Sequence, residues 1–208
     1  MHKVYRIAAA VPVLEVANPR YNAERIIELY LQAQQQGAST VLMPELALTG
    51  YSCGDLFEQK TLLEEAKKAL QLLEEASSRH NAILIVGVPF EVNSRLYNTA
   101  AVIQNGRLRA LVGKTYLPEY RAFYEKRQFR SIREFTGQTT CWKGEEIPFG
   151  GKLVFQVGDD FSFGIEICED LWAVTPPSNH LAQNGAQLIF NLSATPELVT
   201  KAAYRRDL

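Results

Sequence analysis

Glycine and proline divide the sequence into short apolar segments that alternate with segments of helical periodicity. Apolar residues dominate positions 4–11, 40–43 and 82–88, and the last two of these runs stop at a proline. Between them, apolar side chains recur three or four positions apart over 23–33 and 62–73, as on the buried face of an amphipathic helix. This alternation predicts an α/β fold.

The second half of the chain adds a hairpin and a long irregular stretch. Asn105-Gly106 lies between two apolar runs, and this dipeptide favours the two-residue turn of a β-hairpin, where both residues need a positive φ. Residues 114–151 show no clean period, which predicts a functional loop. The remaining predicted elements are strands at 152–157, 161–167 and 188–190 and helices at 181–184 and 196–208. The whole pattern predicts one domain with a mixed sheet covered by helices.

The composition excludes several classes of protein. Lys and Arg total 22 and Asp and Glu total 23, so the formal net charge of −1 gives no basic surface for nucleic acid or anionic lipid. No run approaches the ~20 apolar residues that span a bilayer. The three cysteines form no Cys-x-x-Cys pair, which argues against a disulfide scaffold and a zinc site. We expect a soluble cytoplasmic protein with no bound metal.

Three ionisable residues follow three different apolar strands. Glu45, Lys114 and Cys168 each stand where a predicted strand ends, and loops at strand ends open into a crevice in α/β sheets. Singly, each is typical of a structural role, and a lone cysteine there is commonly a small core residue. Together they meet a chemical need, since a thiol requires a base to become a thiolate and a cation to stabilise a developing oxyanion. The three predict a catalytic set without a histidine.

The residues around these positions carry a family resemblance. Residues 43–51 (MPELALTGY), 113–118 (GKTYLP) and 168–172 (CEDLW) resemble the three signatures of the nitrilase, or carbon–nitrogen hydrolase, superfamily. Residues 117–127 and 191–195 are more specifically similar to the glutaminase domain of glutamine-dependent NAD+ synthetases. Three motifs in the right order at long spacings make the resemblance specific.

The resemblance implies roles for eight residues. Cys168 would be the nucleophile, Glu45 the general base, Lys114 the cation that holds the oxyanion, and Glu125 the second glutamate beside this triad. The residues expected to line the pocket for the α-amino and α-carboxylate groups of glutamine are Tyr120, Glu169, Thr195 and Lys201. The family places Ser at the position of Thr195 and often Arg at that of Lys201. The first change keeps the hydroxyl, whereas the second loses the bidentate fork that suits a carboxylate.

The resemblance also implies a fold and partners. It predicts a nitrilase-like α-β-β-α sandwich with mixed sheets, C-terminally incomplete, in which residues 1–208 form a truncated glutamine amidohydrolase domain without the synthetase domain. Ammonia from glutamine would amidate nicotinic acid adenine dinucleotide in that second domain. ATP and Mg²⁺ are expected only there, with no cofactor in this one. We expect the bare sheet edge to be covered by another subunit, giving a homo-oligomer.

Other functions remain open at this stage. A nitrilase-like amidase acting on another small amide would share the triad. A catalytically silent assembly module would keep the residues without turnover. A Cys–His protease would require His180, which lies 12 positions after Cys168 in a predicted short helix.

Overall fold

The computed structural model describes residues 4–158, 161–196 and 198–207. Within them lie four α-helices, α1 to α4 in chain order: Pro19–Gln35, Lys60–Ser77, Pro177–Gln183 and Lys201–Asp207. The strands β1 to β10 are Ile7–Ala9, Thr40–Leu42, Ile83–Val92, Arg95–Gln104, Arg107–Gly113, Thr139–Trp142, Glu145–Gly150, Val154–Val157, Phe161–Ile167 and Leu188–Leu192. Short 3₁₀ segments at Glu125–Arg127 and Cys168–Trp172 carry candidate site residues.

The strands form two mixed sheets. The larger sheet has the order β1-β2-β3-β4-β5-β7-β6, with parallel pairing from β1 to β3 and between β5 and β7. The smaller sheet has the order β10-β9-β8, in which β10 and β9 are parallel. Because β3–β4 and β4–β5 are both antiparallel, β5 runs in the direction of β2 and β3. The C-terminal ends of β2 and β5, which precede Glu45 and Lys114, therefore share one edge of the sheet.

Helices α1 and α2 cover one face of the larger sheet. Asn18 caps α1 by accepting a hydrogen bond from the Tyr21 backbone N–H, and Pro19 occupies the first turn, where the helix needs no backbone donor. Apolar side chains of the two helices, such as Ile26 and Leu70, are fully buried in the core that they share with this sheet. Burial of these amphipathic stripes holds the helical layer in place.

The two sheets pack face to face through alternate strand residues. In β3, Leu84 belongs to the core under the helices, whereas Ile85 belongs to the core between the sheets, which Phe163 of β9 enters from the other side. On the outer face of β9, α3 lies so close that a Cβ on Gly164 would come within 2.8 Å of the Leu181 side chain. The layers follow the order helices, sheet, sheet, helix. The predicted α-β-β-α sandwich with mixed sheets is confirmed.

Residues 114–151 contain more regular structure than the sequence predicts. Strands β6 and β7 form an antiparallel hairpin in this range, and β7 pairs with β5 to extend the larger sheet. The side chains of Ile147 and Phe149 are buried, and Trp142 Nε1 donates to a buried carboxylate oxygen of Glu74 on α2 at 3.1 Å. The prediction of one irregular stretch is wrong for this hairpin, because long-range contacts with α2 and β5 stabilise these short strands.

Smaller differences concern the ends of elements. The first strand covers Ile7–Ala9 rather than all of 4–11, and the helix expected over 196–208 forms at Lys201–Asp207. Positions 197 and 208 lie outside the described residues. No helix in the described part of the chain combines the length and apolarity required to cross a bilayer.

Candidate active site

Glu45 lies in the turn that follows β2. This turn packs directly on Gly87 of β3, where a Cβ atom would lie 2.1 Å from a backbone nitrogen of the turn, so only glycine fits. The Glu45 side chain points into the interior and is 1% exposed. Its Oε1 accepts hydrogen bonds from Lys114 Nζ at 2.6 Å and Asn98 Nδ2 at 2.7 Å, and its Oε2 accepts from the Ala194 N–H at 3.0 Å.

Lys114 is the first residue after β5 and is completely buried. Its Nζ lies 2.6 Å from Glu45 Oε1 and 2.6 Å from Glu125 Oε1. Glu125, which begins a 3₁₀ segment and is also buried, accepts a further hydrogen bond from the Tyr51 hydroxyl at 2.7 Å. One ammonium group therefore bridges two buried carboxylates. We call Glu45, Lys114 and Glu125 the charge cluster.

The charge cluster alters the proton affinities of Lys114 and Glu125. Burial lowers the pKa of Lys114, but the carboxylates of Glu45 and Glu125 outweigh this effect and raise it above its ordinary value. Burial raises the pKa of Glu125; Lys114 opposes that rise and Glu45 adds to it. Because one cation cannot neutralise two carboxylates, the cluster is suited to take up a proton from a neighbouring acid.

Cys168 begins the 3₁₀ segment that follows β9. Its φ of 47° lies in the left-handed region, which residues other than glycine rarely adopt, so the surrounding structure must hold this turn. Burial raises the pKa of the Cys168 thiol to about 12; Glu45 adds to the rise and Lys114 opposes it. The side chain is therefore a neutral thiol at neutral pH, and it needs a base before it can act as a nucleophile.

Cys168 lines a cavity of 510 Å³, which we call the thiol cavity. The predicted binding residues Tyr120, Glu169, Thr195 and Lys201 all line the same cavity. The Tyr120 hydroxyl donates to Glu169 Oε2 at 2.8 Å, and Lys201 Nζ donates to Thr195 Oγ1. An acidic pair and a basic pair thus share one space with the thiol, an arrangement that suits a zwitterion such as an α-amino acid.

The thiol cavity has an aromatic wall. Trp172 stacks on Tyr204 of α4, with ring centroids 5.0 Å apart and an angle of 11° between the ring planes. Leu198 and Val199 extend this apolar lining. The wall fits the aliphatic part of a ligand whose polar ends reach the acidic and basic pairs.

Asp170 is a site residue whose role sequence reasoning missed. It is 1% exposed, and its carboxylate accepts hydrogen bonds from the backbone N–H groups of Ile167 at 3.0 Å, Thr115 at 3.1 Å and Tyr116 at 2.7 Å. The carboxylate therefore connects the turn after β9, which carries the Cys168 thiol, to the loop after β5, which carries the Lys114 ammonium group. Its place inside the motif 168–172 is a signal, but the motif does not show what the side chain contacts.

Asn98 on β4 is a second residue that the sequence did not reveal. Its side chain donates to Glu45, and its backbone carbonyl accepts from the Lys114 N–H at 2.9 Å. One residue thus holds two members of the charge cluster. No motif marks it, because the contact depends on the register between β4 and β5.

Other candidates lie elsewhere. His180 on α3 lines a separate cavity of 740 Å³ together with Tyr116 and Arg133, and it is not among the residues that line the thiol cavity. Cys53 is buried and Cys141 is exposed, and both are free thiols. Across the described ranges, no group of three His, Cys, Asp or Glu side chains is arranged to hold a metal ion.

The carbon–nitrogen hydrolase family model matches residues 7–207. The chain belongs to the carbon–nitrogen hydrolase family. Among proteins of this family it is similar to glutamine-dependent NAD(+) synthetases. The relative from Mycobacterium bovis is 36% identical over 209 residues and the one from Xylella fastidiosa 34% identical over 209 residues, each covering 100% of this chain. The chain spans 31% and 35% of the lengths of these two relatives.

Solved structures agree with this assignment. The glutamine-dependent NAD(+) synthetase from Cytophaga hutchinsonii matches with a TM-score of 0.83 and 26% identity, over 98% of this chain and 33% of that chain. An amidase from Nesterenkonia sp. matches with a TM-score of 0.74 and 21% identity, over 95% of this chain and 68% of that chain, which shows the fold alone. The resemblance to the nitrilase superfamily that the motifs predict is confirmed.

Proposed function

We propose that this carbon–nitrogen hydrolase chain is the glutaminase domain of a glutamine-dependent NAD+ synthetase. It hydrolyses the side-chain amide of glutamine through a cysteine thioester and supplies ammonia. The observation that carries the proposal is that Cys168 interacts with all three members of the charge cluster and also lines a cavity whose acidic and basic pairs match the ends of an amino acid. The similarity to NAD(+) synthetases over the whole chain supports it.

The first half of the reaction forms the thioester. Glu45 takes the proton of the Cys168 thiol, and the sulfur attacks the amide carbon. The carbonyl oxygen becomes an oxyanion, which Lys114 and a backbone N–H near Glu169 stabilise. Glu45 then returns the proton to the amide nitrogen, the carbon–nitrogen bond breaks, and ammonia leaves.

The second half releases glutamate. Water attacks the thioester carbon while Glu45 takes one of its protons, and the carbon–sulfur bond breaks. The departing sulfur recovers that proton from Glu45, which restores the thiol. Glu125 shares the ammonium of Lys114 throughout and keeps it directed at the reacting oxygen.

The same cavity would select the substrate. Glu169, held by Tyr120, accepts hydrogen bonds from the α-ammonium group, and Lys201 with Thr195 holds the α-carboxylate. A neutral amide without an amino-acid end meets neither pair. Glutamine is therefore the substrate in this proposal, and other small amides are the alternative that the experiment below tests.

The partners in this proposal are those that the resemblance to NAD(+) synthetases implies. Ammonia passes to a synthetase domain, which uses ATP and Mg²⁺ to amidate nicotinic acid adenine dinucleotide, while the glutaminase domain itself needs no cofactor. We place the reaction in the cytoplasm and the protein in a homo-oligomer.

The test combines turnover with active-site labelling. The wild type is expected to release ammonia and glutamate from glutamine, and Cys168→Ala to release none because the thioester cannot form. A chloroketone analogue of glutamine should alkylate Cys168 in preference to Cys53 and Cys141, as read by peptide mass spectrometry.

The matched control is Cys141→Ala, which removes an exposed thiol and should leave turnover unchanged. Ammonia release by Cys168→Ala would contradict the proposal. Hydrolysis of other amides without hydrolysis of glutamine would favour the amidase, and labelling without any turnover would favour the silent module.

A further inference from the structure

A row of polar side chains on the smaller sheet leads towards Cys168. In the register of the parallel strands β9 and β10, Glu166 lies opposite Asn191, and the next register pair ends both strands. Cys168 and Ser193 follow these ends at the same edge of the sheet. Glu166, Asn191 and Ser193 take no part in the mechanism above. We call them the strand-end trio.

Contacts connect the trio to the thiol. Glu166 is 1% exposed, and its Oε2 accepts from the Ser178 N–H at 3.1 Å. Its Oε1 and Asn191 Nδ2 are buried and make no close hydrogen bond within the described ranges, yet the two side chains interact: burial raises the Glu166 pKa, and Asn191 is among the groups that lower it. Asn191 Oδ1 accepts from the Ser193 hydroxyl at 2.6 Å, and a hydrogen bond between Ser193 and the Cys168 sulfur lowers the pKa of that thiol.

We propose that the strand-end trio are positioning residues that decide where the Ser193 proton points, and thereby how readily Cys168 releases its own. A serine hydroxyl has one proton to donate. While Ser193 donates that proton to Asn191 Oδ1, it cannot donate it to the Cys168 sulfur. The thiolate then lacks this hydrogen bond, and the neutral thiol is favoured. The proposal rests on the proposed function only in treating Cys168 as the nucleophile.

Glu166 holds the amide of Asn191 in this orientation. A carboxylate only accepts hydrogen bonds, so it attracts the Nδ2 group of Asn191 and repels its Oδ1 atom. The carbonyl oxygen is therefore turned to Ser193. The resting enzyme keeps its thiol protonated until Glu45 removes the proton, and the Ser193 hydroxyl can then turn to the thiolate.

This arrangement predicts shifts of opposite sign for two variants. In Glu166→Gln the new amide pairs with either end of Asn191, so Asn191 can present Nδ2 to Ser193. The hydroxyl then donates to the sulfur and stabilises the thiolate. In Ser193→Ala the sulfur loses its only hydroxyl donor in the trio, and the thiolate is disfavoured. A purely structural role would instead reduce the reactivity of Cys168 in both variants.

The other groups around the thiol are common to all variants. Among the residues that the structure describes, the titratable side chains that interact with Cys168 are those of Glu45, Lys114, Glu125, Tyr51 and Tyr120. None of them is changed, so a difference between variants reports the strand-end trio.

The experiment measures the rate of Cys168 alkylation by iodoacetamide at about pH 8.5, by peptide mass spectrometry on the folded protein. Because the pKa of the thiol lies well above this pH, the rate follows the small thiolate fraction. The exposed thiol of Cys141 is the internal reference in each sample. Glu166→Gln should raise the rate at Cys168 about tenfold and Ser193→Ala should lower it about tenfold, the range expected for a hydrogen bond to a charged group. Ser193→Thr keeps the hydroxyl and should restore the wild-type rate.

The matched control is Glu74→Gln, which changes another buried glutamate that contacts the β6–β7 hairpin and should leave the alkylation rate of Cys168 unchanged. Equal rates for the wild type and Glu166→Gln, or rate changes of the same sign in Glu166→Gln and Ser193→Ala, would overturn the proposal. If circular dichroism shows that Glu166→Gln does not fold, Asn191→Leu replaces it. Leucine removes the carbonyl that takes the Ser193 proton, so a rate that does not rise would overturn the proposal equally.

Failure of this proposal is separable from failure of the proposed function. Iodoacetamide needs no glutamine and no turnover. Opposite rate changes in a protein that does not hydrolyse glutamine would contradict the proposed function alone. An active glutaminase whose Cys168 alkylation rate does not respond to changes in the strand-end trio would contradict this inference alone.

Discussion

The charge cluster and the lining of the thiol cavity use the same kinds of side chain in opposite surroundings. Lys114 is fully buried between two carboxylates at 2.6 Å, whereas Lys201 is partly exposed and contacts the Thr195 hydroxyl and the Pro196 carbonyl. Glu125 is 4% exposed, and Tyr120, which holds the acidic pair, is 49% exposed. The first region is built into the core, and the second is available to a ligand.

In the proposed reaction, the buried charge cluster performs the catalytic step and the lining of the thiol cavity binds the substrate. Removing either the cation or a carboxylate of the charge cluster leaves an uncompensated charge in the core. Changes in the cluster should therefore affect both turnover and folding. Charges on the cavity wall remain hydrated without substrate, so changes there should affect substrate affinity alone. Three variants test this division, and a fourth tests Asp170, which connects the loops that carry the thiol and the ammonium group.

Glu45→Gln should have the largest effect among them. The amide cannot take the thiol proton, and the loss of a positioned base lowers kcat by about 10²–10⁴-fold. Glutamine-dependent ammonia release measures it. Glu64→Gln, an exposed change on α2, is the matched control and should be silent. Near-wild-type kcat in Glu45→Gln would remove Glu45 from the mechanism.

Lys114→Met should affect both properties. Loss of the oxyanion cation lowers kcat by about 10²–10³-fold. It also leaves Glu45 and Glu125 buried without their cation, so the free energy of unfolding should fall by about 3–5 kcal/mol. Urea titration measures this fall. A variant as stable as the wild type would show that the cluster is not the structural unit described above.

Asp170→Asn should change how stability depends on pH. Burial raises the pKa of Asp170 to about 7, although the N–H groups of Ile167 and Tyr116 oppose the rise, whereas the unfolded chain releases this proton near 3.8. Between these values the folded protein binds the extra proton, so the Asp170 contribution makes the free energy of unfolding fall as the pH increases. The variant should lose that contribution in urea titrations across this range. If the free energy of unfolding of the variant depended on pH as that of the wild type does, the prediction would be contradicted.

Lys201→Ala should have the smallest effect. Loss of one charged hydrogen bond to the substrate raises KM for glutamine about tenfold, with kcat and stability unchanged. Lys126→Ala, which removes an exposed lysine paired with Glu119, should leave KM unchanged and is the control. A fall in kcat without a change in KM would erase the contrast between the two regions.

The sequence predicts the fold class because apolar runs and glycine or proline breaks are local signals. It also marks Glu45, Lys114 and Cys168, since each follows a recognisable strand. The hairpin of β6 and β7 escapes local reasoning because its stability comes from Glu74 on α2 and from pairing with β5.

The contacts of Asp170 and Asn98 are equally non-local. Asp170 binds backbone N–H groups that lie 55 and 54 positions away in the chain, and Asn98 reaches Glu45 over 53 positions. A motif shows that such a residue is present. Only the register of strands shows which backbone groups it meets.

Because the backbone at Cys168 is left-handed, selection for thermal stability and selection for turnover favour different residues at this position. Glycine adopts this conformation without the penalty of roughly 1–2 kcal/mol that other L-residues incur. A mutant library screened only for resistance to heat would therefore favour glycine at position 168, whereas a library screened for ammonia release would retain cysteine. At this one position, the residue that gives the greater stability to heat is not the residue that allows turnover.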